Sequence, residues 1–276
     1  MPKKKSTKKT ARKSKFTAKT ADKHDLYQRS VQDPATEVFF INRFFKAIRK
    51  RAPLTLREDF CGTALLATAW AKAGPRRIAV GVDLDPAVLE YARTHRLEKL
   101  DASAARRVGL MQADVRNGPP GPFDAVIAFN FSWQVFKTRE LLRSYFGAAR
   151  GALAEDGVLM LDLMGGWLAM QRRQERRVLK GGVTYVWEHE RFDAITHHLQ
   201  CAIHFELPDG RRLKRAFTYD WRLWTLPEVT ELLREAGFAE VDVLWDVKPV
   251  GVEPLYLRRT SADNMGGFIA YVVARK

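Results

Sequence analysis

The sequence predicts an α/β protein in which a mostly parallel sheet carries an antiparallel, β-rich insertion. Two patterns predict this fold. Between residues 54 and 163, short apolar runs alternate with amphipathic stretches, which is the order of strands and helices in a parallel sheet. From residue 183 to 222, apolar residues instead recur at every second position around the turn Pro208-Asp209-Gly210, which is typical of antiparallel strands.

The first 22 residues differ in composition from the rest of the chain. The protein has 276 residues and a net charge of +15, and its first twenty residues hold nine Lys or Arg and no acid. Because this stretch has few apolar residues, residues 1–22 are predicted to be a disordered basic tail. The tail either contacts a polyanion such as nucleic acid or is a solvated extension, and it lacks interleaved aromatic residues for stacking on bases.

Cysteine content and hydropathy indicate the compartment. Cys61 and Cys201 are the two cysteines, and we expect two free thiols in a reducing environment. No apolar run approaches the roughly 18 residues of a membrane span, and the N-terminus lacks the apolar core of a signal peptide. We therefore expect a cytoplasmic protein.

The elements follow one another in a regular order. An amphipathic helix begins at Asp33-Pro34, where apolar residues take up helical spacing. Another helix starts at the capping box of Thr225 and Glu228 and closes at Gly237. Strands are predicted at 54–58, 78–83, 108–113, 124–129, 158–163, 241–246 and 267–273, and further helices at 63–73, from 85 onward, and at 137–154.

Three of the predicted strands lead into acidic residues: Glu58, Asp83 and Asp114. The first strand continues through the small-residue turn Cys61-Gly62-Thr63 into a helix. Such an arrangement holds a nucleoside cofactor at the carboxyl edge of a parallel sheet. A nicotinamide-binding domain would show Gly-x-Gly-x-x-Gly here, whereas Gly62 is the only glycine between Glu58 and Gly74.

This pattern resembles the class I S-adenosylmethionine-dependent methyltransferases. The motif Glu58-Asp-Phe-Cys-Gly-Thr-Ala64 matches the family's first loop, with Phe60 and Ala64 in place of its first and third glycines. The resemblance covers residues 34–165 and 225–275. It implies a Rossmann-like seven-stranded methyltransferase sheet, mostly parallel with an antiparallel last strand.

The resemblance also implies a division of the chain. Residues 53–165 and 223–276 would form the cofactor-binding core, and residues 23–52 an N-terminal lid and helical segment. The β-rich insertion, residues 166–222, would cover the substrate or form a homodimer contact, as in small-molecule N-methyltransferases with similar insertions.

A set of residues that bind S-adenosylmethionine follows from the same resemblance. Asp83 would accept hydrogen bonds from the ribose hydroxyls, Leu84 would pack on the adenine, and Asp114 would meet its exocyclic amine. Glu58 would lie near the amino-acid portion, and Arg57 would reach the cofactor carboxylate. The remaining predicted cofactor contacts are Cys61, Gly62, Val115 and Asn130.

Three residues are predicted to act at the reacting centre. Asn130 follows strand four and would face the methyl group. Asp162 ends strand five, where it would orient an amine or accept its proton, or else cap the following glycine turn. Tyr27 would lie in the lid, close to the sulfonium. No metal site is predicted, because the histidines lack ligand spacing.

The predicted function is methyl transfer to a nitrogen or oxygen of a small molecule by in-line displacement. One alternative is a methyltransferase acting on nucleic acid or protein that is docked by the basic tail. A second alternative is a noncatalytic binding module, since Phe60 and Ala64 are compatible with an eroded cofactor loop.

Overall fold

The computed structural model describes residues 21–248 and 255–276. The predicted tail, apart from Ala21 and Asp22, lies outside the described residues. The described chain forms a large mixed sheet with helices on both faces and a smaller antiparallel sheet. This architecture confirms the predicted fold class.

The large sheet has the strand order β11-β10-β12-β5-β4-β1-β2-β3. Neighbours among β1 to β5 run parallel, whereas β12 runs antiparallel to both β5 and β10. The strands are β1 (Thr55–Asp59), β2 (Ile78–Asp83), β3 (Val108–Gln112), β4 (Phe123–Ala128), β5 (Leu153–Gly165), β10 (Glu240–Asp246), β11 (Tyr256–Arg259) and β12 (Phe268–Arg275).

The described part of this sheet has eight strands, one more than predicted. The addition is β11, which pairs antiparallel with β10 at the sheet edge. Its four residues have no apolar alternation, because Arg258 and Arg259 follow Leu257. Tyr256, its buried residue, packs edge-on against Phe40 with ring centroids 5.5 Å apart.

Helices cover the two faces of the sheet. On one face, side chains of α2, α3 and α4 join a core that includes Phe45, Trp70 and Leu89. On the other, α6 and α7 supply Tyr145, Phe146 and Leu232. The helices are α1 (Lys23–Val31), α2 (Pro34–Arg49), α3 (Leu65–Lys72), α4 (Pro86–His95), α5 (Ala102–Ala105), α6 (Arg139–Ala152) and α7 (Leu226–Glu235).

Local sequence explains where these helices begin. The side chain of Asp33 accepts a hydrogen bond from the backbone N–H of Thr36, and Pro34 occupies the first turn of α2. The predicted capping box of α7 is present, with both Thr225 and Glu228 bonded to the other's backbone N–H. Among the residues that the structure describes, no helix combines the length and apolar character needed to cross a membrane.

The insertion between β5 and α7 forms the second sheet, with the order β6-β7-β8-β9. The sequence predicted its last three strands. It missed β6, which is rich in arginine and almost entirely exposed, so that no apolar alternation indicates it. The strands are β6 (Arg173–Val178), β7 (Thr184–Phe192), β8 (His198–Glu206) and β9 (Arg212–Arg222).

Candidate active site

A cleft of about 340 Å³ lies at the carboxyl ends of β1, β2 and β4. Its floor comes from the loops that follow these strands, including Phe60 to Thr63 and Phe129 to Asn130. The helix α1 and the strand β9 complete the walls with Tyr27, Tyr219 and Trp221. The site thus combines the sheet edge, the N-terminal segment and the insertion. This position is where α/β folds bind ligands.

The loop from β1 to α3 forms part of the floor of the cleft. The backbone φ angle is positive at Phe60 (57°), Gly62 (52°) and Ala64 (52°). Non-glycine residues adopt this conformation at a cost, so the loop keeps a glycine-like path without the first and third glycines. Packing of the Phe60 ring against Phe136 and Tyr145, each with centroids 6.0 Å apart, stabilises the turn.

Gly62 and Asp83 meet across this turn. The backbone N–H of Gly62 donates to Oδ2 of Asp83 at 2.7 Å, and the N–H of Asp85 donates to Oδ1 at 3.0 Å. A carboxylate offers about four lone-pair sites, so Asp83 has acceptor capacity left. No atom lies within 4 Å of where a Cβ on Gly62 would stand, and a ligand can therefore approach the backbone there.

Glu58 faces the cleft from β1. Its Oε2 accepts a hydrogen bond from the N–H of Ala67 at 2.8 Å, in the first turn of α3. Burial raises the pKa of Glu58 well above its ordinary value, and the Ala67 bond opposes that shift. Cys61 also lines the cleft, and its backbone N–H bonds to the carbonyl of Val82.

Arg57 corrects a prediction. Its side chain is 1% exposed and is not part of the cleft lining, because buried partners inside the sheet edge hold its guanidinium. Arg57 Nε instead donates to Asp59 at 2.7 Å, and its Nη2 bonds to the carbonyl oxygen of Val115. The hydroxyl of Tyr145 donates to the other oxygen of Asp59. Arg57 therefore ties β1 to the loop after β3.

The predicted adenine contacts lie at the same sheet edge but outside the cleft lining. Asp114 follows β3 and pairs with Arg116, with Nη2 and Oδ2 2.6 Å apart, which lowers the pKa of Asp114. Val115 is buried in the core, and its carbonyl accepts hydrogen bonds from Arg57 and from the backbone N–H of Gly118. Leu84 is 69% exposed, so its packing on a base stays a prediction.

Asn130 lines the cleft in a constrained turn. Asn130 and Phe131 both have positive φ angles, and their backbone N–H groups donate to the two oxygens of Asp162 at 2.7 and 2.9 Å. Asp162 itself is buried and does not line the cleft. Burial raises its pKa to about 7. Asp162 thus has a structural role, but at a different turn from the predicted one: it holds the turn that presents Asn130 and not the following glycine turn.

Tyr27 lies where the lid was predicted. It lines the cleft, shares a hydrogen bond with Tyr219 of the insertion, and packs on Phe217 with ring centroids 4.8 Å apart. Burial raises the pKa of Tyr27 to about 12. At the next position of α1, the amide of Gln28 bonds to the hydroxyl of Thr63 in the β1–α3 loop. The helix α1 thereby joins the cofactor loop to the insertion.

Glu37 is a cleft residue that sequence reasoning missed. It lies in the first turn of α2 and lines the cleft. The sequence did contain a signal for it: Glu37 precedes the apolar residues Phe40, Ile41 and Phe44 by three, four and seven positions, which places it on the same face of the helix. A carboxylate on the apolar stripe of a helix is costly unless it has a partner or a function.

One group of potential metal ligands is present among the described residues: Glu188, Glu190 and His204, in the insertion. Nδ1 of His204 accepts the backbone N–H of Arg215, so Nε2 carries the proton and donates to Glu188 at 2.9 Å. Glu190 pairs with Arg215. Since the ring has no lone pair left for a metal, this cluster is a hydrogen-bonded structural group.

Comparisons with known proteins agree with this geometry. Residues 61–159 match the family model described as a methyltransferase domain. Among curated protein sequences, none matches this chain.

Several solved structures share the fold. An S-adenosylmethionine-dependent methyltransferase from Clostridium acetobutylicum has 17% identity and a TM-score of 0.67, covering 91% of this chain and 96% of its own. An S-adenosylmethionine-bound amino pentose methyltransferase from Micromonospora echinaspora has 20% identity and a TM-score of 0.66, covering 91% and 95%. A sugar N-methyltransferase from a Streptoalloteichus species has 21% identity and a TM-score of 0.62, covering 100% and 99%.

The family match runs from Cys61 in the β1–α3 loop to Leu159 in β5, so it includes the cleft residues of that loop and of the ends of β2 and β4. The fold match extends over the insertion and α1 as well. The comparisons agree with the predicted methyltransferase class and confirm the predicted fold. Residues 61–159 match the methyltransferase-domain model, and the chain shares its fold with S-adenosylmethionine-dependent methyltransferases of known structure.

Proposed function

We propose that this protein is an S-adenosylmethionine-dependent methyltransferase that methylates a nitrogen atom of a small molecule. The observation that carries the proposal is the walled cleft at the sheet edge. It opens onto Gly62 and Asp83 on one side and onto Asn130, Tyr27 and the insertion on the other.

The residues present fit the cofactor. The backbone at Gly62 is open to a ligand, and Asp83 retains lone pairs for the two ribose hydroxyls. Asp114 and Leu84 lie at the same edge, where we propose that they meet the adenine. Phe60 and Ala64 keep the φ angles that glycines would have, which argues against an eroded loop. When bound, S-adenosylmethionine supplies an electrophilic methyl group on a sulfonium.

The protein's own contribution is positioning and the exclusion of water. Hydrogen bonds to the carboxylate of Asp162 fix the backbone at Asn130, after the end of β4. The side-chain amide of Asn130 would then make a polar contact at the reacting centre without having to reorganise. Tyr27 and Tyr219 form part of the wall of the cleft. Such a wall replaces water around a bound acceptor with fixed dipoles and favours in-line approach.

Two features support a small amine as the acceptor. The cleft is near the lower end of the volumes typical of small-molecule sites, and walls from α1 and β9 restrict access by a folded macromolecule. Eleven of its 23 lining residues carry carboxylate or aromatic side chains, a combination that attracts cationic amines more than neutral hydroxyls. Similar proteins described above act on amino pentose and sugar nitrogen.

A two-stage experiment tests the proposal. Isothermal titration with S-adenosylhomocysteine should show one site on the full-length protein. Incubation with S-adenosylmethionine and a panel of aminosugars and other primary amines should then yield a product heavier by one methyl group, measured by mass spectrometry. Absence of cofactor binding at millimolar ligand would overturn the proposal. Methylation of the matched alcohols but not of the amines would overturn the assignment to nitrogen.

A further inference from the structure

Five acidic side chains line the cleft, and four of them are already held by donors of the chain itself. Each of the four accepts a backbone N–H bond or an arginine bond that fixes a loop or helix end. The four pairings are Glu58 with Ala67, Asp59 with Arg57 and Tyr145, Asp83 with Gly62 and Asp85, and Asp85 with Ala87. Hydrogen bonds of 2.7–3.0 Å within the chain therefore fix the positions of these four carboxylates, although Asp83 keeps lone pairs for a ligand.

Glu37 is the fifth. Among the described residues, its carboxylate receives a hydrogen-bond contribution only from the backbone of Asp33, at the start of the same helix, and no strand, loop or other helix holds it. Burial raises the pKa of Glu37 to about 7, and the negative charge of Asp162 adds to that effect. No lysine or arginine pairs with it within the described chain. A largely buried carboxylate that faces a cavity without a cation is poised to receive one from a ligand.

The wall formed by α1 and β9 offers aromatic faces to the same space. Phe217, Tyr219 and Trp221 alternate along β9 and therefore share one face of the strand. The Tyr219 and Trp221 rings have centroids 4.5 Å apart, and Tyr27 joins them through Tyr219. Lys23, the lysine of the lining, is exposed, and its ammonium lies over Phe217, 5.3 Å from the ring centroid.

We propose that Glu37 binds the methyl acceptor as a protonated amine, with the aromatic wall of Tyr27, Tyr219 and Trp221 around the cation, and then takes its proton. The inference rests on the proposed function and adds to it a recognition residue and a protonation state. It reassigns to Glu37 the acid–base role that the sequence suggested for Asp162, whose oxygens are both held by backbone N–H groups.

The proton and electron balance is simple. The ammonium R–NH₃⁺ transfers one proton to the Glu37 carboxylate, giving R–NH₂ and the neutral carboxylic acid. The nitrogen lone pair then forms the new N–C bond while the C–S bond of the methyl donor breaks and its electron pair remains on sulfur. The product leaves as R–NH₂⁺–CH₃, and Glu37 returns its proton to solvent when the cleft opens.

Other titratable groups act on Glu37, and they define what the test must separate. Burial raises the pKa values of two acids among them, Glu58 and Asp162, so each of these is a competing proton acceptor. The groups are Glu58 on β1, Asp162 on β5, Asp33 at the start of α2, Tyr27 on α1 and Tyr271 on β12, with Lys23 at the exposed side of the cleft.

The test compares matched pairs of probes that differ only in amine or hydroxyl: glucosamine and glucose, benzylamine and benzyl alcohol, cyclohexylamine and cyclohexanol. Each probe is titrated calorimetrically into full-length protein saturated with S-adenosylhomocysteine. The variants are Glu37→Gln, which keeps shape and removes charge, and Glu37→Asp, which restores charge. Glu231→Gln, on the exposed face of α7, is the matched control for loss of one carboxylate.

At least one amine should bind, and more tightly than its alcohol. Glu37→Gln should weaken amine binding by about ten- to a hundredfold, the loss expected for a charge-assisted hydrogen bond, and leave alcohol binding unchanged. Glu37→Asp should recover part of the loss, and Glu231→Gln should change nothing. Wild-type affinity for the amine should increase from pH 6 to pH 8, as the carboxyl group ionises, and this increase should vanish in Glu37→Gln.

The contradicting results are separable. If S-adenosylhomocysteine binds but no amine does, or if the amine preference survives in Glu37→Gln, the inference is wrong and the proposed function stands. If the pH dependence persists in Glu37→Gln, the proton acceptor is another of the acids named above. If S-adenosylhomocysteine itself does not bind to the wild-type protein, the proposed function fails first.

Discussion

Backbone strain at single residues shapes the cofactor loop. Phe60 and Ala64 hold left-handed conformations that cost of order 1 kcal/mol each, and Gly62 holds the same conformation without that cost. The surrounding packing maintains the two strained residues. Because the backbone at Gly62 also stays open to a ligand, we expect this glycine to be the position of the loop most sensitive to change.

The Gly62→Ala variant should lose a small amount of stability and a larger part of its affinity for the cofactor. A Cβ at position 62 meets no protein atom, so we expect a loss of about 1 kcal/mol in the free energy of unfolding from the positive φ alone. The new methyl group would occupy space needed by the cofactor, and affinity for S-adenosylhomocysteine should fall more than tenfold. Chemical denaturation and calorimetry measure the two effects.

Gly147→Ala is the control for that variant. Gly147 lies inside α6, exposed and with open space around it, so alanine there should raise stability by about 0.5–1 kcal/mol. Its cofactor affinity should stay at the wild-type value. Unchanged cofactor binding in Gly62→Ala would show that the ligand does not approach this turn.

Asp83→Asn should weaken cofactor binding by about ten- to a hundredfold, because it removes the charge that strengthens two hydrogen bonds to ribose. The substitution keeps the side-chain shape, although one of the bonds to Gly62 and Asp85 must weaken. Titration with adenosine as well as S-adenosylhomocysteine locates the effect. A loss confined to S-adenosylhomocysteine, with adenosine binding unchanged, would contradict a ribose contact.

Site residues were predictable where the strand ends determined them. Glu58, Cys61, Gly62, Asp83 and Asn130 line the cleft because they follow β1, β2 and β4 at the carboxyl edge. Arg57 was misplaced, since its buried bonds to Asp59 and to the carbonyl of Val115 depend on how the loop after β3 packs, which the sequence pattern does not show. Glu37 was missed, because its role depends on how α2 lies against the sheet, which a helical pattern alone does not show.

Elements were predictable in proportion to their apolar periodicity. The buried strands of the large sheet and the amphipathic α2, α6 and α7 lie within a few residues of their predicted bounds. The strands β6 and β11 were not predicted, since one is arginine-rich and both are exposed at sheet edges. In α1, Leu26 is buried together with Gln28 and Ser30, so tertiary contacts and not an apolar stripe determine its position.

At the level of elements, Asp124 joins the start of β1 to β4. One oxygen accepts the N–H groups of Leu54 and Thr55, and the other bonds to Arg51 at 2.6 Å. Asp124→Asn should lower the free energy of unfolding by about 2 kcal/mol, the scale of hydrogen bonds to a charged group. Denaturant titration measures it.

Asp156→Asn provides the comparison, because Asp156 binds the same Arg51 but is exposed. An exposed ion pair contributes about 0–1 kcal/mol, so this variant should change stability little. Equal losses in the two variants would contradict a special role for Asp124.

The stabilisation by Asp124 should depend on pH in one direction. Burial raises the pKa of Asp124, but the bonds from Arg51, Leu54 and Thr55 outweigh it and leave the pKa below the ordinary 3.8. A carboxylate whose pKa is lower in the folded state stabilises the fold at pH values above its unfolded-state pKa. This stabilisation is lost as the pH falls through the folded-state pKa. The difference in stability between wild type and Asp124→Asn should therefore be constant near neutral pH and shrink below pH 3.8. A difference that instead grew on acidification would contradict this sign.

Across the whole molecule, three parts converge on one cleft: the parallel sheet, the helix α1 and the insertion. Leu26 of α1 packs into a cluster with Ile203 and Phe205 of the insertion, and Gln28 bonds to the cofactor loop. Substrate access is therefore coupled to how α1 and β9 lie on the sheet. Sequence patterns predicted each part separately, whereas their convergence arises from tertiary packing.

The basic tail supplies a test of substrate size. A chain that begins at Ala21 keeps every described residue of the cleft, the first of which is Lys23. If the acceptor is a small molecule, the truncated protein should retain its cofactor affinity and its methyl-transfer rate within about twofold. A twofold change is well under the tenfold change that corresponds to about 1.4 kcal/mol. A large loss of activity, together with salt-dependent polyanion binding present only in the full chain, would favour a tail-docked macromolecular substrate.

The most direct test of the central claim is a crystal structure of the full-length protein with S-adenosylhomocysteine. The account predicts the ribose hydroxyls within hydrogen-bond distance of Asp83, the backbone of Gly62 against the ligand, and the sulfur facing the space between Asn130, Tyr27 and Glu37. Ligand density elsewhere on the molecule, or a ribose turned away from Asp83, would contradict it.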